Sequence, residues 1–392
     1  MRTIGTRVYG IRTPIIKEDD DLVSIIVNSL LQAAKDNGIT FCDNDVVGVT
    51  EAVVARAQGN YATVDQIAAC VRSIFPSGPV GVVFPILSRN RFAMLLKGIA
   101  KGADEIIVQL SYPADEVGNQ LIDPDAVFDA NLNTFTDVLD EPRFRELFGQ
   151  EVTHRFTGVD YVRYYGSLAP NIRVILANNP LEILQHAKQI IAADIHKRSH
   201  TKRSLQKGGA QKVVGLDDIM TSPIDGSGCN PQYGLLGSNK ATENKVKLFP
   251  RGCEAFVEAL AGRLCEVTGK NIEVLVYGDG GFKDPVGGIW ELADPVIAPA
   301  FTKGLSGTPN ELKLKFLADN KFSSLRGEEL EHALKNEIRQ KDASLMGKME
   351  SEGTTPRQLT DLLGSLCDLT SGSGDKGTPV ILIQGYFDNF AS

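Results

Sequence analysis

The sequence GDGGF at positions 278–282 has the composition of a site that holds a metal ion beside a phosphate. It follows an apolar stretch, 272–277, with the pattern of a buried strand. Ligands gather at the carboxyl ends of strands in α/β proteins, where Asp279 could offer a carboxylate to magnesium or manganese. Backbone N–H groups that could approach a phosphate belong to Gly278, Gly280 and Gly281. The alternative is a tight turn that favours aspartate, and the spacing leaves both interpretations open.

Two other stretches carry polar side chains where chemistry could occur. Residues 236–244 are polar and precede the strand-like residues 246–249, and by themselves they predict a loop. Glu51 and Arg56 lie in and just after a β-rich segment, 46–54. Glycine and an acid inside such a segment indicate either a β-bulge or the close approach of a ligand. Alone, this pair is a weak signal.

Residues 196–212, HKRSHTKRSLQKGGAQK, contain six lysines or arginines, two histidines and no acid. The run stands out in a chain whose net charge is −8. Cations this dense repel one another, so we predict an exposed, mobile loop without ion-pair partners. One interpretation is a merely solvated surface. The other is an anion clamp in which Arg198, Lys202 and Arg203 converge on a phosphate or carboxylate.

Composition and missing motifs exclude several classes of protein. A net charge of −8 argues against general nucleic-acid binding, which needs a basic surface. The sequence lacks the HExxH of zinc hydrolases, the GxSxG nucleophile elbow and both glycine-rich nucleotide motifs. Its six cysteines are scattered without a CxxC pair, which is typical of reduced thiols. Since we find neither a signal-peptide pattern nor an apolar run of about 18 residues, we expect a cytoplasmic protein that does not bind membranes.

The elements that must position these residues follow from hydrophobic periodicity. A chain of 392 residues allows two or three domains. Strand-like residues 80–84 and 106–110 flank a helical pattern that begins at Phe92, which predicts a βαβ unit within an α/β region from about 60 to 210. Further helices are predicted from Leu22 to Asn37, 252–267 and 356–369, with a last buried strand at 379–383. The whole pattern predicts a mixed α/β fold.

Five motifs, taken in order, resemble the coenzyme F-420 gamma-glutamyl ligase family. YGIRTPIIKEDDDL at 9–22 is similar to that family's G-(I/L)-P-x-I-x-x-G-D-D-L opening, and DVVGVTEAVVARAQG at 45–59 is similar to its D-V-x-V-V-A-Q-K-V-V-S-K-A-E-G segment. GSN at 237–239, followed by LFP at 248–250, resembles the G-(V/I)-D and L-L-P of its metal-binding loop. YGDGGF at 277–282 resembles its S/T-D-T-F-G stretch, and GTPVILIQG at 377–385 is close to its G-(I/V)-P-V-V-L-(I/V)-R-G ending.

For the fold, the resemblance implies a gamma-glutamyl-ligase-type domain that is discontinuous in sequence. Residues 1–60 and 211–392 would form it, with a helical insertion at about 305–350. Residues 61–210 would be an inserted α/β region, which we expect to be compact. The resemblance also implies a homodimer.

For the activity, the resemblance implies an amide ligase that uses GTP with magnesium or manganese, often with potassium. An acceptor carboxylate would be activated as an acyl phosphate and then attacked by the amine of an amino acid, glutamate in that family. The acceptor would be an acidic small molecule and need not be the deazaflavin. By position Asp279 would bind the metal, Asn239 takes the place of a metal-binding aspartate, and nearby Glu243 could restore the carboxylate. Glu51 and Arg56 are the candidate catalytic residues.

Four positions depart from the family pattern. Asn239 replaces an aspartate, Gly280 a threonine and Ala52 a lysine, while Glu51 stands where the family has glutamine. The change at Asn239 supports an alternative function. The alternative is a non-catalytic protein that kept the ligase fold and binds a nucleotide or another anionic ligand.

Overall fold

The computed structural model describes residues 3–154, 157–279, 282–283, 290–291, 296–351, 357–372 and 374–392, with backbone alone for 279, 282–283, 290–291 and 296–297. The chain divides into two compact units. The first comprises Met1–Val54, Gly252–Gly278 and Val296–Ser392, and the second comprises Ala55–Arg251 and Asp279–Pro295. Each helix in the described ranges is too short or too polar to cross a lipid bilayer.

Helices and strands alternate along most of the chain. The α-helices are α1 Leu22–Asn37, α2 Glu51–Ala57, α3 Val64–Ile74, α4 Phe92–Lys101, α5 Pro124–Asp129, α6 Glu141–Phe148, α7 Tyr161–Ser167, α8 Arg198–Lys207, α9 Cys253–Thr268, α10 Leu314–Asp319, α11 Gly327–Gln340 and α12 Leu359–Thr370. The strands are β1 Arg7–Ile11, β2 Val46–Thr50, β3 Tyr61–Thr63, β4 Pro79–Val83, β5 Glu105–Leu110, β6 Leu139–Asp140, β7 Ile172–Leu176, β8 Gln189–Ala192, β9 Lys212–Gly215, β10 Asn239–Thr242, β11 Lys245–Lys247, β12 Glu273–Asp279, β13 Phe282–Lys283, β14 Trp290–Glu291, β15 Val296–Phe301 and β16 Val380–Gln384.

A mixed sheet in the order β1-β16-β2-β12-β15 forms the centre of the first unit. β16 runs antiparallel to both β1 and β2, whereas β2 and β12 are parallel. Buried apolar side chains of the central strands pack with Leu363 and Cys367 of α12. This confirms the predicted strands near 272–277 and 379–383 and the helices near 252–267 and 356–369. The mixed α/β class is therefore confirmed.

The first helix shows why its ends could be predicted. The side chain of Asp21 accepts a hydrogen bond from the N–H of Ser24 at 3.1 Å, which satisfies a donor that a helix start leaves open. Gly38 ends α1 with φ of 66° and donates its N–H to the carbonyl of Ala34. Glycine adopts this left-handed conformation without a steric penalty, so the chain can leave the helix there.

A six-stranded sheet, β6-β7-β5-β4-β8-β9, dominates the second unit. β7, β5, β4, β8 and β9 are parallel, and β6 is antiparallel to β7. α4 connects the parallel neighbours β4 and β5, which confirms the predicted βαβ unit. The second unit also contains the sheet β10-β11-β3 and the pair β13-β14.

The second unit is larger than the inserted region expected from the sequence. Residues 61–210 lie wholly inside it, but it continues to Arg251. Leu216, Ile219 and Leu248 pack in the same apolar core as α3 and α4. The family-domain boundary near residue 211 therefore does not coincide with the boundary of this compact unit, while the assignment of 61–210 as an insertion stays a prediction.

Two local expectations were wrong. The segment 46–54 is not one interrupted β-stretch, because β2 ends at Thr50 and α2 begins at Glu51. Apolar residues continue from β2 into α2 because both β2 and part of α2 are buried, so the change from strand to helix leaves no break in the apolar pattern. The basic run 196–212 is not a loop, because most of it forms α8, which buries Thr201 and Leu205.

Asp45 in the first unit predicts a pH-dependent stability. Its carboxylate accepts hydrogen bonds from the N–H of Cys42 (2.8 Å) and from Nε2 of Gln384 (2.7 Å), and burial raises its pKa despite both bonds. The folded chain thus holds this proton to a higher pH than the unfolded chain. The contribution of Asp45 to stability is therefore present at low pH and lost as pH rises through the raised pKa. Asp45→Asn keeps an acceptor but cannot ionise, so the wild type should lose stability relative to this variant as pH rises from about 4.

Urea unfolding of both proteins across the pH range measures this difference. Asp43→Asn is the matched control. Hydrogen bonds from Asn271 and Lys270 lower the pKa of Asp43, so the stability of the wild type relative to this variant should change with pH in the opposite direction. Parallel stability curves for the wild type and Asp45→Asn would contradict the expectation.

Candidate functional site

The carboxyl ends of β2 and β12 bring two of the predicted site residues to one edge of the first sheet. These strands are adjacent and parallel, and their register pairs Thr50 with Tyr277. Glu51, the first residue of α2, and Gly278 of β12 therefore directly follow this paired position. Adjacent parallel strands lie about 4.8 Å apart, so both positions belong to the edge where ligands collect in α/β sheets.

Glu51 is a buried acid at the start of α2. It is only 3% exposed. Its negative charge reaches Cys253, the first residue of α9, whose thiol pKa is raised to about 12 by burial first and then by Glu254 and Glu51. The Cys253 thiol therefore stays protonated at neutral pH and is not a nucleophile. Arg56, the second predicted catalytic residue, is exposed on the same helix, so the structure does not bury the two together.

Asp279 is the last residue of β12, as the sequence pattern predicted. Its side chain lies outside what the structure describes, as do Gly280 and Gly281. Among the described residues, no three His, Cys, Asp or Glu side chains are placed to hold a metal ion. The metal-binding role of Asp279 and the anion-binding role of the three glycines stay predictions.

The structure places Asn239 and Glu243 on a hairpin of the second unit. Asn239 begins β10 opposite Lys247 of β11, and Glu243 lies in the turn between those strands. The side chain of Glu243 is 80% exposed and forms an ion pair with Lys240. Lys240 lowers the pKa of Glu243, and the charge of Lys97 adds to this effect. The carboxylate that could replace the missing aspartate is thus engaged with a lysine, and its role as a metal ligand stays a prediction.

Two buried asparagines hold the chain around this hairpin. Asn60 donates from Nδ2 to the carbonyl of Phe249 at 2.7 Å. Asn230 donates to the carbonyls of Phe249 and Pro250, at 3.0 and 2.9 Å, and accepts from the N–H groups of Gln232 and Tyr233. They fix the LFP segment that resembled the family's metal-binding loop. Sequence reasoning missed both, although an asparagine before proline is a recognised turn signal.

Two basic residues of α8 form ion pairs with acids. Nε of Arg198 lies 2.8 Å from Asp217, and Nζ of Lys202 lies 2.5 Å from Asp218. Both acids come from the 3₁₀ turn after β9. Arg203 is exposed, and its Nε donates to the carbonyl of Ser199 at 3.2 Å. The expectation that the run lacks ion-pair partners was therefore wrong for Arg198 and Lys202, while anion binding by these residues stays a prediction.

Removing Arg198 should destabilise the second unit more than removing Arg203. Besides the pair with Asp217, Arg198 donates to the carbonyls of Asp194 and Ile195, at 3.0 and 3.4 Å, and its side chain is only 17% exposed. We expect Arg198→Ala to lower the free energy of unfolding by about 1–2 kcal/mol. Arg203→Ala, the matched control on the same helix, should change it by less than about 0.5 kcal/mol. Equal effects in urea unfolding would contradict the structural importance of the Arg198 pair.

Comparison with known proteins supports the resemblance drawn from the motifs. The sequence model of the family described as F420-0:Gamma-glutamyl ligase matches residues 10–385. The match spans the five motifs as well as the regions between them. No curated protein matches the chain.

Proposed function

We propose that this chain, which belongs to the F420-0:gamma-glutamyl ligase family, forms an amide bond through an acyl phosphate. The family is one of acid–amino-acid ligases, and its name points to glutamate and F420-0 as substrates. An oxygen of the acceptor carboxylate attacks the γ-phosphorus of GTP, and GDP leaves. The amine of glutamate then attacks the acyl carbon, inorganic phosphate leaves, and the amine gives up its proton.

In this proposal the predicted site residues divide the work. Glu51 takes the proton from the attacking amine, a role for which a positioned carboxylate is suited. Asp279, with Asn239 and Glu243, would hold magnesium or manganese, and all three are hard oxygen donors of the kind these ions prefer. The ion supplies positive charge to the transferring phosphoryl group. Arg198, Lys202, Arg203 and the glycines after β12 would bind the nucleotide phosphates.

The register of β2 with β12 supports this proposal most strongly. It places Glu51 and the residue before Asp279 at one sheet edge, although they are more than 200 positions apart in the sequence. Among the described residues, no other two predicted site positions directly follow a paired position of adjacent strands. GTP, the potassium ion, the homodimer and the cytoplasmic location stay predictions.

A ligation assay tests the proposal. The protein is incubated with F420-0, glutamate, manganese and either GTP or ATP, and the glutamyl product and nucleoside diphosphate are quantified. We expect one diphosphate per amide bond, with GTP preferred. Absence of both products with either nucleotide would overturn the proposal.

A non-catalytic function is the second candidate, and the ion pair between Lys240 and Glu243 favours it. It predicts that GTP binds, equally well with and without manganese, and is never cleaved. Calorimetric titration of GTP with and without manganese separates the two candidates, since the ligase should bind GTP more tightly when manganese is present.

A further inference from the structure

The strand order of the six-stranded sheet reverses between β4 and β8. From β4 the chain proceeds outward through β5 and β7, and it then returns to the other side of β4 to add β8 and β9. In open sheets of this kind, ligands bind at the carboxyl ends of the strands beside such a switch point. The loops that meet there follow β4, β5 and β8.

One face of the sheet at this point is covered by α8 and by the 3₁₀ helix Pro180–Gln185. Val83, Ile107 and Ile190 belong to the small apolar core beneath them, and Phe84 packs against its edge. Phe84 is the first residue after β4 and has φ of 55°. Non-glycine residues adopt this left-handed conformation at an energetic cost, and such strain gathers at functional sites.

Two buried oxygen atoms on this face have no hydrogen-bond donor among the described residues. Asp194, two residues after β8, is 2% exposed. Its Oδ2 accepts from Oγ1 of Thr201 on α8 at 2.9 Å, but its Oδ1 has no partner. Gln109 near the end of β5 is fully buried, and its Oε1 is likewise without a partner.

The positions of these two acceptors define what they can bind. Nε2 of Gln109 donates to the carbonyls of Ala177 and Asn179, on the side of the 3₁₀ helix, while Asp194 is tied to α8. β5 and β8 flank β4, so the two strands are about 10 Å apart and Phe84 follows the strand between them. Phe84 therefore follows the strand that lies between the two strands from which these acceptors come. A flat ligand with donors at both ends would complement acceptors placed in this way.

The same loops are unsuited to a phosphate. The N–H groups of Leu87 and Ser88 donate to Asp115 and to the hydroxyl of Tyr165, at 2.9 and 2.8 Å. After β8, the N–H groups of Ile195 and His196 donate to the carboxylate of Glu116. These backbone donors, of the kind that usually hold a phosphate at this position, are therefore occupied. Two of their acceptors are the carboxylates of Asp115 and Glu116. Burial raises the pKa of both Asp194 and Glu116, while the charges of Arg198 and His196 act in the opposite direction on Asp194 and Glu116, respectively.

We infer that the second unit has a ligand site of its own at the carboxyl ends of β4, β5 and β8, which takes an uncharged planar heterocycle bearing amino or hydroxyl donors, as a nucleoside does. The ligand donates to Oδ1 of Asp194 and Oε1 of Gln109 and lies against Phe84. The inference does not depend on ligase activity.

Calorimetric titration with adenosine tests this site. We expect saturable binding by the wild type, and binding of AMP about tenfold weaker because its phosphate would approach Asp194 and Glu116. Asp194→Asn removes the negative charge and should weaken adenosine binding about tenfold. Asp218→Asn, a nearby but more exposed aspartate that pairs with Lys202, is the matched control and should bind like the wild type.

A further measurement keeps the test decisive. If Asp194→Asn does not fold, purine riboside, which lacks the amino group of adenosine, should bind the wild type about tenfold more weakly than adenosine. Absence of saturable adenosine binding, or AMP binding as tight as that of adenosine, would overturn the inference.

Discussion

Replacing Asp279 by asparagine is expected to lower the ligation rate at fixed manganese by about 100-fold or more. A carboxylate contributes both negative charge and a hard oxygen to a divalent ion, and an amide keeps only the neutral oxygen. If the ion supplies about 3 kcal/mol to the transferring phosphoryl group, its loss corresponds to about two powers of ten in rate. Manganese titration, followed by calorimetry in the presence of GTP, should show weakened binding in the same variant.

The control for this prediction is Asp375→Asn. Asp375 is also an aspartate in a glycine-rich turn, but it is exposed and precedes β16 instead of following a strand. It should leave both ligation and manganese affinity unchanged. Manganese affinity that is equal in Asp279→Asn and the wild type would remove Asp279 from the metal site.

Replacing Glu51 by glutamine is expected to lower kcat by about 100-fold with the fold intact. Glutamine has nearly the same shape but cannot take a proton, and general base catalysis contributes about 10²–10⁴-fold to rates. The family pattern also has glutamine at this position. The substitution therefore separates proton transfer by a carboxylate from a role that any polar side chain could fill.

Two readouts distinguish these roles of Glu51. Loss of proton transfer should lower kcat and leave the KM for GTP unchanged, whereas loss of a positioning contact should change the KM as well. Glu254→Gln is the matched control, because Glu254 also acts on the Cys253 thiol but is exposed on α9. A Glu51→Gln variant that keeps the wild-type rate would assign Glu51 a positioning role only.

Local sequence signals predicted the elements whose ends and faces are encoded by nearby residues. α1 has an aspartate cap and a terminal glycine, and β12 and β16 are short apolar runs buried in a sheet. Such elements need no information from distant residues. The same holds for the βαβ unit, whose two strands and helix each carry their own periodicity.

Features that depend on distant partners could not be predicted in this way. The cations of α8 were taken as unpaired because their acids, Asp217 and Asp218, lie beyond the basic run. Residues 211–251 join the second unit through apolar contacts with α3 and α4, which sequence spacing does not reveal. For the candidate site, the motif predicted Asp279, but only strand pairing placed Glu51 beside Gly278. Asn60 and Asn230 donate to a backbone carbonyl group, and of the two only Asn230, which precedes a proline, carries a signal in the sequence.

Transfer of oxygen from the acceptor carboxylate to phosphate tests whether ligation proceeds through an acyl phosphate. The carboxylate of F420-0 is labelled with heavy oxygen, and ligation is run with glutamate, manganese and GTP. If the carboxylate attacks the γ-phosphorus, its oxygen remains with that phosphorus when the amine displaces phosphate. Activation through an acyl phosphate predicts one labelled oxygen in the inorganic phosphate for each amide bond formed. Amide product with unlabelled phosphate would contradict activation through an acyl phosphate.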